Sequence, residues 1–124
     1  MDKIKTNPII DSAGTKRWRN ESNKLDRLNG PAVEWVDGDR VEEWYQNGKR
    51  HRLDGPAITF KNGEKQWWVN GLIHREDGPA VVFPEGINQW WIKNAVYRTK
   101  EDYFNALSEE AKAKCLFSED FLNG

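Results

Sequence analysis

A seven-residue phrase recurs along the chain: HRLDGPA spans His51 to Ala57, HREDGPA spans His74 to Ala80, and a degraded copy, DRLNGPA, spans Asp26 to Ala32. WYQNGKR from Trp44 and WWVNGLI from Trp67 lead into the two full copies, and WWIKNAV from Trp90 opens a unit that is cut short. A period of about 23 residues means one small unit copied in series, each copy burying its apolar face against the next. The expected fold class is therefore mainly β: a repeat-built antiparallel β-meander of about three to four units of about 23 residues, closed by a short C-terminal helical cap. One domain over 1–124 is expected, with an N-terminal segment (1–13), β-repeats (14–98) and the cap (99–124).

Glycine pairs punctuate short alternating runs. AVEWV meets Asp37-Gly38, VEEWYQ meets Asn47-Gly48, AITFK meets Asn62-Gly63 and QWWV meets Asn70-Gly71. Such pairs favour type I′ turns, whose two central residues both need φ > 0, so three short strands per unit are expected. The Asp-Gly-Pro of each phrase reads as a further turn, with glycine supplying an unusual dihedral and aspartate accepting from the turn's own backbone. Beyond the last tryptophans, Thr99 is placed to cap a helix carrying Tyr103, Phe104 and Leu107 on one face. Ser108 is placed to cap a second, with Ala111, Cys115 and Leu116 inward. These helices are expected to cover the open edge of the final unit. Around Pro8-Ile9-Ile10 the chain forms an extra edge strand or stays loose.

Only 37% of residues are hydrophobic and 31% are charged, so the seven tryptophans must supply much of the core. A net charge of −1 argues against general electrostatic nucleic-acid binding. A lone cysteine, Cys115, excludes an internal disulfide and a cysteine zinc site. Without a signal peptide or a long apolar run, a soluble protein of the cytoplasm is the expectation.

The pattern W-x-x-N-G-x-x-H-R-x-D-G-P-A resembles the MORN-like repeats of phages and giant viruses, over roughly Gly14 to Leu107. That resemblance implies a phage or viral β-repeat protein acting in the host cell. The chain shares the aromatic-x-x-Asn-Gly hairpin of membrane occupation and recognition nexus repeats but lacks their Gly-x-Gly after the turn, so no membrane partner is implied.

Comparing units turns the sequence into columns. One reads Asp26, His51, His74, Tyr97; the next reads Arg27, Arg52, Arg75, Arg98; a third reads Asn29, Asp54, Asp77. Stacked guanidinium groups repel unless anions intervene. Either Arg52 pairs with Asp54 or Asp77 and the array neutralises itself, or part of it faces a groove and takes phosphate or carboxylate from a ligand. Arg27 and Arg98, lacking an Asp two residues on, have the weaker internal partners. His51 and His74, with Asp26, could approach metal-binding reach; ordinary turn hydrogen bonding is the expected role, and no metal or cofactor is expected. Trp18, Trp44, Trp67 and Trp90 form an aromatic column expected in the core. Tyr45, Trp68 and Trp91 beside it face the other way, as a platform for a partner or as buried packing.

No nucleophile–base motif, phosphate loop or metalloprotease helix is present. Glu42, Glu43 and Asp54 read as exposed strand carboxylates. A repeated surface suits binding along a face rather than a unique active site. The expectation is a non-enzymatic protein that engages or inhibits a host protein, including a defence component, through Arg27, Arg52, Arg75, Arg98, His51, His74, Tyr45, Trp68 and Trp91. The alternatives are sequestration of a nucleotide or small anion by the same columns, and a structural or assembly role.

Overall fold

The computed structural model describes residues 7–124, so the first six residues of the N-terminal segment lie outside the described residues. The fold is mainly β, with short antiparallel strands followed by three short helices. In chain order the strands are β1 (Ile9–Ile10), β2 (Lys16–Arg17), β3 (Val33–Glu34), β4 (Arg40–Glu43), β5 (Tyr45–Gln46), β6 (Lys49–Arg50) and β7 (Ile58–Phe60). Then follow β8 (Lys65–Gln66), β9 (Trp68–Val69), β10 (Leu72–Ile73), β11 (Val81–Val82), β12 (Trp90–Ile92) and β13 (Ala95–Tyr97). Seven of them make one sheet in the order β1-β2-β3-β4-β7-β8-β11. The other six form three hairpins, β5–β6, β9–β10 and β12–β13. Ile9–Ile10 is thus the expected edge strand.

The expected continuous strand through VEEWYQ divides at Trp44 instead. Up to that point the chain pairs with β7, and the Trp44 amide donates to the Ala57 carbonyl at 2.7 Å. Beyond it the Tyr45 carbonyl accepts from the amide of Arg27, in the preceding unit. Equivalent bonds run from Trp67 to Ala80 and from Trp18 to Ala32, and from Arg52 to Trp68 and Arg75 to Trp91. Each tryptophan therefore marks where the chain leaves the sheet and joins a row of hairpins knitted to one another by backbone bonds. The hairpin turns at Asn47-Gly48 and Asn70-Gly71 have both residues at positive φ, as expected, and Lys93-Asn94 adopts the same geometry without glycine. At Asp37-Gly38 and Asn62-Gly63 only the glycine is positive. Those turns are of the longer kind, in which a type I turn is followed by a left-handed glycine.

The register aligns Arg17, Val33, Glu43, Ile58, Gln66 and Val81 across one face of the sheet. Buried Val33, Ile58 and Val81 alternate with polar residues there. Glu43, expected at the surface, is only 2% exposed. It accepts from Trp35 Nε1 at 2.8 Å, from the Tyr45 hydroxyl at 3.0 Å and from Arg40 and Arg50, so its burial is compensated by donors on several sides.

The cap comprises α1 (Lys100–Ala106), α2 (Glu109–Cys115) and α3 (Glu119–Asn123), the last not foreseen. Thr99, Ser108 and Ser118 each accept from an amide in the first turn that follows. Helices this short are marginal alone; they hold because Tyr103, Leu107, Ala111, Cys115 and Phe121 close around Trp90. Leu116, expected inward, is 61% exposed, because α2 ends at Cys115 and Phe121 of α3 takes the inward place. Three consecutive carbonyls of the third unit are met by the cap. The Tyr103 hydroxyl donates to Arg75 O, the Cys115 thiol to Glu76 O at 3.2 Å, and the Ser118 hydroxyl to Asp77 O at 2.6 Å.

Burial pushes up the phenols of Tyr103 and Tyr45 and the thiol of Cys115. Because each folded-state pKa lies above its unfolded value, this contribution to stability is complete at neutral pH and is lost as pH rises through the thiol and phenol range. Chemical denaturation should therefore show falling stability above about pH 9, the ordinary thiol value. Tyr103→Phe should lower neutral-pH stability by about 1–3 kcal/mol by orphaning the Arg75 carbonyl, and should flatten the alkaline loss.

Candidate functional site: twin grooves between arginine clamps

The three R-x-D/N-G-P loops owe their shape to their arginines. The Arg52 guanidinium lies 3.9 Å from the Trp44 ring, its Nε donates to Asp54 at 2.9 Å and its Nη1 to the Pro56 carbonyl at 3.2 Å. Arg75 repeats the arrangement with Trp67 at 4.0 Å, Asp77 at 3.0 Å and Pro79 O at 3.1 Å, and gains Asp120 of α3 at 2.6 Å. Arg27 stacks on Trp18 at 3.7 Å and bonds Pro31 O at 3.1 Å. Asn29 offers it no carboxylate, and Glu34 supplies one at 3.2 Å, a longer contact than those of Arg52 and Arg75 with their aspartates. These are charge-assisted bonds combined with cation–π stacking, which fix a planar guanidinium in a way no lysine could. The arrangement is the self-neutralising one, with Asp54 rather than Asp77 serving Arg52.

The glycine of D-G-P has a different reason from the one its sequence suggests. None of Gly30, Gly55 and Gly78 is among the positive-φ glycines. A Cβ at Gly78 would stand 2.7 Å from the Arg75 Cζ, and at Gly55 2.8 Å from that of Arg52. The missing side chain is the space the guanidinium occupies. Aspartate likewise serves the arginine, whose hydrogen bond and then charge hold the Asp54 carboxyl below the usual carboxylate range.

Arg98 stands outside this scheme. It is exposed and makes none of the clamp contacts, because Tyr103 and Phe121 lie against Trp90 where a guanidinium would stack, at ring separations of 4.9 and 5.8 Å. The histidines bind the next unit's hairpin: Nδ1 of His51 accepts from the Asn70 amide and Nδ1 of His74 from that of Lys93, both at 3.0 Å. In the first unit Asn20 bridges Asp26 and Asn47 instead. Among the described residues no group of three His, Cys, Asp or Glu is placed to hold a metal. Tyr45, Trp68 and Trp91 are half-buried, and their polar ring atoms turn back to Glu43, Gln66 and Gln89, two residues earlier.

Between successive loops the surface opens into two repeat-related grooves. The first, about 440 Å³, has Trp44, His51 and Arg52 on its walls and Leu28 and Leu53 on its rim. The second, about 770 Å³, places Trp67, His74 and Arg75 at the equivalent positions, with Leu53, Glu76, Lys114 and Asp120 around it. The structure thus gathers Arg52, Arg75, His51 and His74 at the grooves. Arg27, Arg98, Tyr45, Trp68 and Trp91 do not line them. Sequence reasoning missed Leu28 and Leu53, which stand 67% and 79% exposed at the position where the third unit has Glu76. An apolar residue between arginine and the turn was the available signal. No family profile, curated protein or solved structure matches the chain.

If the glycine makes room for the guanidinium, Gly78→Ala should destabilise the protein by about 1–3 kcal/mol in urea unfolding through overpacking. Without that contact the same change would stabilise by about 0.4–1 kcal/mol through the unfolded state. An unchanged or raised midpoint would contradict the clamp.

Proposed function

We propose that this chain is a non-catalytic binding protein of phage or viral type, which engages a polypeptide segment of a host protein with its twin grooves and acts in the host cytoplasm, inhibiting a host factor such as a defence component. The observation that carries this reading is the pair of open, repeat-related grooves rimmed by exposed Leu28 and Leu53. Exposed leucines at the lip of an aromatic-walled groove suit an apolar anchor on a partner. The resemblance of the W-x-x-N-G-x-x-H-R-x-D-G-P-A pattern to viral repeat proteins supports the origin, and the repetition of the surface supports binding over catalysis. Burial keeps the Cys115 thiol protonated, which disfavours it as a nucleophile. Among the described residues, no helix is long and apolar enough to cross a membrane.

Sequestration of a nucleotide or anion is the weaker reading, because Arg27, Arg52 and Arg75 already give hydrogen bonds to carboxylates and proline carbonyls. A photo-crosslinker at position 53 should capture a discrete polypeptide from host lysate, and one at Ile87, which is exposed and outside both grooves, should not. Nucleotides and cyclic oligonucleotides should leave the melting temperature unchanged. No capture at position 53, together with a nucleotide-dependent rise in melting temperature, would replace the proposal with the sequestration reading.

A further inference from the structure

The spacing and chemistry of the two grooves limit which segments fit them. Tyr45 pairs with Arg50 within one hairpin, the Arg27 amide bonds Tyr45 O on one side, and the Arg52 amide bonds Trp68 O on the other. Equivalent positions in successive units are therefore two strands apart, or about 10 Å at the usual antiparallel spacing. A ligand that places one side chain in each groove must match that step. In a β-strand, same-face residues fall about 7 or 14 Å apart and miss the step. An α-helix meets it at i and i+7, about 10.5 Å apart along the axis. A polyproline II segment has three residues per turn at about 3.1 Å each, so i and i+3 share a face about 9.3 Å apart. The spacing therefore admits both a helix and a polyproline II segment, and the ring-lined walls favour the latter.

The grooves also differ in charge. The first is lined by Leu28, Asn29 and Leu53 together with Asp54, which is held by Arg52 and shared with the second groove. In the second, Arg52 and Arg75 are turned inward and bonded, whereas Asp54 and Asp120 are 82% and 64% exposed in their side chains, with Glu76 and Asp77 about half exposed between them. Lys114 stands against Glu76 at 3.8 Å, and His74 Nε2 lies 3.5 Å from the same carboxylate. The lip of the second groove is therefore acidic. Trp44 and Trp67 with Pro56 provide the aromatic, ring-lined walls on which proline-rich segments dock.

We propose that the partner segment is a polyproline II stretch that sets an apolar side chain between Leu28 and Leu53 and an arginine or lysine three residues away against the acidic lip formed by Asp54, Glu76, Asp77 and Asp120. This rests on the groove-binding reading above and narrows it to a class of ligand. Because a polyproline II helix can lie in a groove in either direction, both orders of the two anchors are admissible, and one is selected by the chain.

The test is fluorescence anisotropy of the full chain with labelled Pro-Pro-Leu-Pro-Pro-Arg-Pro and Pro-Arg-Pro-Pro-Leu-Pro-Pro. Controls carry Glu in place of Arg, or set Leu and Arg two residues apart. One order should saturate, and each control should bind at least about tenfold more weakly. Leu53→Asp should abolish binding, the pair Asp54→Lys and Glu76→Lys should weaken it about tenfold, and Ile87→Asp should leave it unchanged. Failure of both orders to saturate, or equal binding regardless of spacing and charge, overturns the proposal. If the crosslinker at position 53 captures a polypeptide that neither peptide displaces, the polyproline assignment falls and the groove reading stands. If it captures none and no peptide binds, both fall.

Discussion

The arginine stacked on a tryptophan eight or nine residues before it is the interaction on which the rest of the structure depends. A chain with strands of two to four residues has little apolar area to bury, and a two-stranded hairpin is marginal by itself. The clamp joins the two ends of a unit, ring and loop, through a contact worth up to about 2 kcal/mol when desolvated. It also satisfies the proline carbonyl and the aspartate at the loop. The aligned backbone bonds from Trp18, Trp44 and Trp67 to the following Ala carbonyls then fix where each hairpin departs from the sheet.

What the clamp does to charge explains the surface that is left. Each guanidinium is turned inward, and the carboxylates that neutralise it remain on the outside with one oxygen bonded and the rest in water. At the second groove four carboxylates, Asp54, Glu76, Asp77 and Asp120, stand against Arg52, Arg75 and Lys114. The C-terminal helices end the array chemically as well as sterically. Tyr103 and Phe121 take the place of a guanidinium over Trp90, and Tyr103, Cys115 and Ser118 meet the three carbonyls of Arg75, Glu76 and Asp77. Asp120 adds a second carboxylate to Arg75 at the second groove, which is also the larger of the two.

The β architecture and the helical cap were legible in the repeat and its turn residues, because hairpin turns and helix caps are decided locally. Asn47-Gly48, Asn70-Gly71, Thr99 and Ser108 all do what their types favour. The break at Trp44 was not legible, since it depends on which neighbouring unit supplies the next hydrogen bond. The role of Gly78 was hidden for a related reason: glycine signals an unusual dihedral or a close approach equally well, and only the position of the Arg75 guanidinium distinguishes them. Glu43 looked like a surface carboxylate because its donors, Trp35, Arg40, Tyr45 and Arg50, form no local motif. At the candidate site the Arg and His columns were visible, whereas the leucines on the rim and Asp120 came from outside the repeated phrase or from its variable position.

A double-mutant cycle between Trp44 and Arg52 tests the central claim most directly, because Arg52 lacks the extra Asp120 contact of Arg75. Urea unfolding of Trp44→Leu, Arg52→Met and the double variant should give a coupling energy of about 1 kcal/mol or more. Additivity within about 0.3 kcal/mol would mean that ring and guanidinium lie side by side without stabilising each other, and that the clamp is not what closes each unit.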